Sequence, residues 1–271
     1  MTRASTFTQG EALICTAARM VEENKLYWVG GGGPGPLALT LAQRLYTPKL
    51  VYMTEDGCIG QQAKVPIASF MYMVSARGNH RALAWTTMNT VSTHDSTGFV
   101  DYAVLACLQI DPYGNINSSM MGKDFNHPDR RFGGAGGANE MASLSWGTII
   151  TTNLEKRKFV PKLDFITSPG YLDGSPRARE KAGLPAGTGP YRVITPEAVF
   201  GYDEKTHYMK LLAIAEWVSV DDILANMGFK PVVPAKVEKL APPSEEELTI
   251  IRSEIDPAGR TSGEGKWITL S

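Results

Sequence analysis

Apolar positions along the chain change period several times, and each change marks an element. Residues 8–23 carry Leu13, Ile14, Ala17, Ala18 and Val21 on one helical face, and Thr8 followed by Glu11 has capping-box spacing, which predicts a first helix. Residues 25–29 read as a buried strand that runs into a glycine and proline run at 30–36. Residues 37–45 then return to a helical period, and 49–54 form the next strand. Strand, glycine loop, helix and strand make a βαβ unit, which implies parallel pairing with a right-handed crossover. Residues 102–110 are almost continuously apolar and predict a central strand covered on both faces, ended by the turn residues Asp111-Pro112-Tyr113-Gly114-Asn115. Further strands are expected at 117–120, 148–152, 163–168, 191–195, 198–202 and 209–214. A helix over 220–227 has acids in its first turn and Gly228 at its end, and a capped helix at 244–252 follows a proline-containing link at 234–243. Residues 60–89 give no clear period; short elements are expected at 70–74 and 82–87. The whole pattern is α/β.

Composition narrows the class. A chain of 271 residues with formal net charge −1 and 20% charged residues lacks the basic stripe of a nucleic-acid binder. No window approaches the ~20 apolar residues that span a bilayer, and the start has no apolar leader. Cys15, Cys58 and Cys107 are odd in number and widely spaced, which fits a reduced, cytoplasmic protein without a disulfide framework. His80, His94, His127 and His207 have no ligand spacing, so no metal site is expected.

Three stretches carry chemistry. Thr54-Glu55-Asp56-Gly57 ends a strand in two carboxylates and a glycine, at the end of an α/β strand where reactive side chains are delivered. Glu55 is the candidate active-site carboxylate; the plainer reading is a solvated turn. The loop containing Gly31, Gly32 and Gly33 lacks the lysine of a phosphate-binding loop and has two prolines in place of amide donors. It reads as a close-approach turn. Residues 132–140 hold four glycines in five positions, each costing roughly 0.5–1 kcal/mol relative to alanine, a cost tolerated where bare backbone must touch something. That loop is either a flexible surface segment or a set of amide donors for a polarised oxygen. Cys58 lies three residues after Glu55 with no evident base, and no serine has a nucleophile-elbow surround. Phe70, Met71, Tyr72, Met73 and Trp85 fit either core packing or the wall of an acyl pocket.

These residues bring a family into view. Thr54-Glu55-Asp56-Gly57 after a parallel strand resembles the Glu-x-Gly segment of the class I coenzyme A transferases. The blocks 109–118, His127-Pro128, Arg131-Phe132, 134–139, Glu155-Lys156-Arg157, 167–170, 203–206 and 226–229 are similar, in order, to the B (β) subunit type represented by glutaconate CoA-transferase. The likeness spans nearly the whole chain. It implies an open, mostly parallel sheet flanked by helices, the CoA-transferase fold, in one domain over 1–271 with a C-terminal extension from about 234. It also implies a separate A (α) subunit as partner, acyl-CoA and coenzyme A as substrates, and no tightly bound cofactor. By the same resemblance Glu55 is the nucleophile, forming a glutamyl-CoA thioester. Gly134, Gly136, Gly137, Ala138 and Asn139 are the oxyanion and CoA-binding loop, and Gly31, Gly32, Gly33, Asp56 and Gly57 line the pocket. Asp56 replaces the Ser or Asn usual before this glycine, and Cys58-Ile59-Gly60-Gln61-Gln62 departs from the transferase pattern. An acid beside Glu55 would favour hydrolysis, so acyl-CoA hydrolases, including ring-opening ones, and decarboxylases of the same superfamily are the alternative.

Overall fold

The computed structural model describes residues 2–30, 32–63, 66, 75–76 and 78–270. The expected elements at 70–74 lie outside them. Ten strands form one mixed sheet in the order Glu238–Leu240, Met209–Ala215, Ala198–Tyr202, Pro190–Ile194, Gly147–Thr151, Tyr102–Ala106, Leu26–Val29, Val51–Thr54, Cys58–Ile59, Ala84–Trp85. The five strands from Pro190–Ile194 to Val51–Thr54 are parallel, and antiparallel strands flank them on both sides. The βαβ unit read from the sequence is there, with Leu26 opposite Val51 and Val29 opposite Thr54.

Alternation along the strands sorts side chains to two faces. Tyr27, Val29, Tyr52, Val104 and Ile149 join a core under the helices Gln9–Arg19, Pro34–Leu45 and Glu245–Ile250. Trp28, Met53, Ala103, Leu105 and Ile150 join a second core under Met88–Ser96 and Ala138–Leu144. Full burial of one large apolar side chain contributes on the order of 1.5–3 kcal/mol, so the central strands, buried on both sides, are the most stable part of the sheet.

The first helix, Gln9–Arg19, has the capping box between Thr8 and Glu11 that its sequence predicts. Glu11 also receives the Arg252 guanidinium at 2.6 Å, and Glu247, fully buried, takes bonds from Arg19 at 2.5 Å and Tyr46 at 2.7 Å. Burial alone would raise the Glu247 carboxyl; the bonds from Arg19 and Tyr46 hold it below its ordinary value. Thr6–Thr8 pairs with Trp267–Thr269, so the C-terminal segment folds back on the first helix. All three cysteines are buried and free, and burial pushes the Cys58 and Cys107 thiols to about 11 and raises the Cys15 thiol well above its ordinary value.

Several elements differ from the sequence pattern for identifiable reasons. Helix Pro34–Leu45 starts three residues before its apolar period, because prolines are accommodated in a first turn whose amides have no intrahelical acceptor. Helix Met88–Ser96 has only Val91 and Asp95 buried and so no apolar stripe to reveal it. The run 102–110 is two strands: Tyr102–Ala106 stays in the sheet, while Gln109–Ile110 leaves it to pair with Ile116–Asn117. Residues 163–168 form no strand, only a bridge from Ser168 to Ile116. The link at 234–243 contains the edge strand Glu238–Leu240.

Candidate active site

The carboxyl ends of Leu26–Val29, Val51–Thr54, Tyr102–Ala106 and Gly147–Thr151 open onto one cavity of about 220 Å³. Its wall holds Glu55, Gly30 and Gly32 of the first glycine loop, and Gly134, Gly136, Gly137 and Ala138 of the second. The three stretches singled out in the sequence therefore meet at one place. A wider depression of about 680 Å³ around Tyr113, Leu163 and Leu172 holds neither Glu55 nor a glycine loop.

Glu55 is placed by a tight turn. The Gly57 amide donates to the Thr54 carbonyl at 3.1 Å, and Gly57 has φ +96°, with the Thr86 carbonyl only 2.6 Å from where a side chain would begin. Only glycine meets both demands. The Glu55 side chain is half-buried and, among the described residues, has no hydrogen bond or ion pair. Its Oε2 lies 3.7 Å from the position a Gly30 side chain would take, so the bare backbone of Gly30 leaves room for the carboxylate.

Asp56 faces a different environment. Its Oδ1 accepts from the Thr54 hydroxyl at 2.5 Å and its Oδ2 from the Asn79 amide at 2.5 Å, and it is absent from the cavity wall, as are Gly33 and Gly57. Asp56 thus braces the turn from behind and is not presented to the cavity beside Glu55. Gly31 and residues 70–73 lie outside the described residues, and Trp85 is 67% exposed on the edge strand, in neither the core nor the cavity.

The second glycine loop is tied down by the segments behind it. Its Gly134 amide donates to the Ser118 carbonyl at 3.0 Å, and the Ser118 amide donates in turn to Thr167 Oγ1 at 2.8 Å. The Asn139 side-chain amide donates to the Thr167 carbonyl at 2.8 Å, so Asn139 anchors the loop and does not line the cavity. Gly134 and Gly136 have positive φ and open space where side chains would stand. The Gly136 and Gly137 amides have no backbone acceptor among the described residues, which leaves two donors at the head of helix Ala138–Leu144. Trp28, Ser118, Met141 and Thr151 also line the cavity and were not read from the sequence; the usable signal was the position of Trp28, Ser118 and Thr151 at or beside strand ends and of Met141 in the first turn after the second glycine loop.

Two buried charged groups hold that helix from the rear. Arg179, 6% exposed, donates to the carbonyls of Ala142 at 3.1 Å and Ser143 at 2.9 Å, and also to those of Pro169 and Gly170 and to the Thr188 hydroxyl. No carboxylate pairs with it among the described residues, and burial lowers its pKa to about 10. Asp95, 1% exposed, accepts from the Ser145 hydroxyl at 2.6 Å, while its Oδ2 is buried without a partner among the described residues. Burial pushes Asp95 up to about 7, with the Glu140 charge adding and the Ser145 bond opposing. A raised carboxyl binds its proton more tightly folded than unfolded. Its stabilising effect is therefore complete below an ordinary aspartate pKa of about 3.9 and is lost as pH climbs through about 7. Asp95→Asn is expected to match the wild type at pH 4 and to exceed it by on the order of 2–4 kcal/mol at pH 8, read from urea unfolding at the two pH values. Equal differences at both would remove Asp95 as the titrating group.

A carboxylate with no hydrogen bond or ion pair among the described residues, sharing a cavity with two glycines whose amides have no backbone acceptor there, on an open α/β sheet, suits acyl transfer. The sequence agrees in class: residues 11–226 match the family model for coenzyme A transferase. The chain belongs to the coenzyme A transferase family. Within it the chain is similar to the β subunit of glutaconate CoA-transferase of Acidaminococcus fermentans, 35% identical over 93% of this chain and 93% of that protein. It is also 30% identical to the β subunit of 3-oxoadipate CoA-transferase of Pseudomonas knackmussii, over 92% of this chain and 94% of that one. The crystal structure of the Acidaminococcus fermentans glutaconate enzyme superposes with a TM-score of 0.82, covering 94% of this chain and 97% of that one at 33% identity. The fold expected from the sequence, a mostly parallel sheet flanked by helices, is the fold of that structure.

Proposed function

We propose that this chain is the β subunit of a cytoplasmic heteromeric CoA-transferase, paired with an α subunit, that moves coenzyme A from an acyl-CoA to a carboxylic acid through Glu55. The carrying observation is that one cavity wall holds both Glu55, without a hydrogen bond or ion pair among the described residues, and Gly136 and Gly137, whose amides have no backbone acceptor among them.

In this reading a Glu55 oxygen adds to the thioester carbonyl, and the carbon–sulfur bond breaks to leave a mixed anhydride and CoA thiolate. The thiolate then adds to the glutamyl carbonyl and expels the acyl group as a free carboxylate, leaving CoA in thioester linkage to Glu55. An incoming carboxylate repeats both steps in reverse. No proton is gained or lost in either step, so a carboxylate nucleophile needs no general base. Each addition develops an oxyanion, for which preorganised amides are the usual support. The two relatives' names point to an acyl group derived from a dicarboxylic acid as substrate. Hydrolysis is less well supported, because both oxygens of Asp56, the acid that would favour water, are committed to Thr54 and Asn79.

The test is direct. The chain, co-expressed with an α-type subunit, is incubated with glutaconyl-CoA and no acceptor, and the intact mass is read. A CoA-sized adduct that hydroxylamine releases and that maps to Glu55 supports the reading. Thioester consumed to free acid and CoA with Glu55 unmodified would move the chain to hydrolysis.

A further inference from the structure

A side chain with no polar contact of its own is aimed by its backbone. Glu55 has no hydrogen bond or ion pair among the described residues, so the turn that carries it, residues 54–57, sets its direction in the cavity. A chain of side chains holds that turn. Gln43 of helix Pro34–Leu45 donates to the Gln61 carbonyl at 3.2 Å, and the Gln61 side-chain amide donates to Thr54 Oγ1 at 3.4 Å. The Thr54 hydroxyl donates to Asp56, and the chain ends at Asn79, whose amide donates to the other Asp56 oxygen at 2.5 Å. Asp56 and Gln61, both in the stretch that departs from the transferase pattern, thus belong to one network.

Asn79 closes it from the returning chain. The Leu83 amide donates to the Ile59 carbonyl and the Gln62 amide to the His80 carbonyl, both at 2.9 Å, which brings residues 79–87 back beside the turn. They grip it twice: Asn79 holds Asp56, and Thr86 donates its amide at 2.9 Å and its hydroxyl at 2.7 Å to the Gly57 carbonyl. The residues on either side of Glu55 are held, and Glu55 is not. A carboxylate offers only acceptors, so Asn79 presents its N–H to Asp56, while its own Oδ1 stays buried without a partner among the described residues. An unmet acceptor is costly, so the bond to Asp56 dictates how this amide stands.

We propose that Asn79 is a positioning residue for Glu55: its bond to Asp56 locks the turn 54–57 and so fixes where the carboxylate stands in the cavity. The inference rests on Glu55 acting on bound thioester, the reading given above, whereas the lock itself does not depend on that chemistry. A reacting group displaced by about 1 Å loses on the order of 10²-fold in rate, so the lock is felt in the chemical step and not in binding.

Asn79→Leu keeps the size of the side chain and removes the donor. With the α-type subunit present and glutaconyl-CoA as probe, single-turnover thioester consumption is expected to fall about 10- to 100-fold, while the thioester concentration giving half the maximal rate changes by less than about threefold. In the same complex, amide hydrogen exchange at residues 55–57 is expected to quicken by about tenfold or more, with the central strands exchanging as in wild type. Asp56→Ala breaks the same bond, so the double variant Asp56→Ala/Asn79→Leu is expected to react within about twofold of the slower single variant. Unchanged exchange at the turn, faster exchange with a rate within twofold of wild type, or a double variant slowed by the product of the two single effects each overturns the proposal. If Asn79→Leu folds poorly, Asn79→Ala removes the amide without adding apolar bulk and reads the same bond. Should wild type consume thioester without modifying Glu55, the transferase reading fails, while exchange at the turn and the consumption rate still decide the role of Asn79.

Discussion

Glu55→Gln is expected to abolish CoA transfer, lowering its rate by about 10⁴-fold or more, with little change in melting temperature. The side chain makes no hydrogen bond or ion pair among the described residues, so its replacement by an amide of the same shape removes no native contact. What it removes is the nucleophile: an amide oxygen does not form an anhydride that a thiolate can open. Glu55→Asp separates chemistry from placement. It keeps the carboxylate but withdraws it by one methylene from a cavity of about 220 Å³, and a loss of about 10²-fold is expected from misplacement alone. Steady-state transfer between acyl-CoA and a free acid, measured beside a thermal melt, checks both. Transfer by Glu55→Gln within tenfold of wild type would assign the covalent step elsewhere.

Arg179→Met is expected to destabilise the protein by about 3–5 kcal/mol, a fall in melting temperature near 10 °C for a chain of this size. The guanidinium satisfies the ends of three segments at once: the last carbonyls of helix Ala138–Leu144, the carbonyls of Pro169 and Gly170, and the Thr188 hydroxyl. Removing it leaves these acceptors buried without a donor. Its charge also sits where the helix dipole is negative, which offsets the missing carboxylate. Arg179→Lys should fall between, because a single ammonium cannot reach all three segments. Urea unfolding of the three proteins gives the order. A loss under 1 kcal/mol for Arg179→Met would mean the helix is held by packing. Since that helix begins at the glycine loop, the folded fraction of either variant is also expected to turn over more slowly.

The order of elements over residues 8–54 was legible, because the apolar period, the capping pair Thr8 and Glu11, and the glycine run mark them physically, while the helix ends at Arg19 and Pro34 were not. Glu55 and the second glycine loop were legible as unusual composition, and the structure brings them to one cavity. Helix Met88–Ser96 was hidden because its packing uses Val91 and a buried acid in place of an apolar stripe. The roles of Asp56 and Asn139 were hidden for another reason. A carboxylate next to a candidate nucleophile and an amide at the end of a glycine loop read as site groups, and only the positions of Asn79 and Thr167 show them to be braces. Trp28 could not be found by pattern, since a tryptophan in a buried strand is ordinary and its place in the cavity wall exists only in three dimensions.

The three protonated, inaccessible thiols have a practical meaning for anyone wishing to watch this molecule work. A thiol kept neutral and out of reach does not react with maleimides at neutral pH. The native cysteines therefore form a chemically silent background, and one cysteine placed on the exposed face near the cavity mouth would carry a fluorophore alone, so that binding of the proposed α subunit at that face would be read as an optical signal.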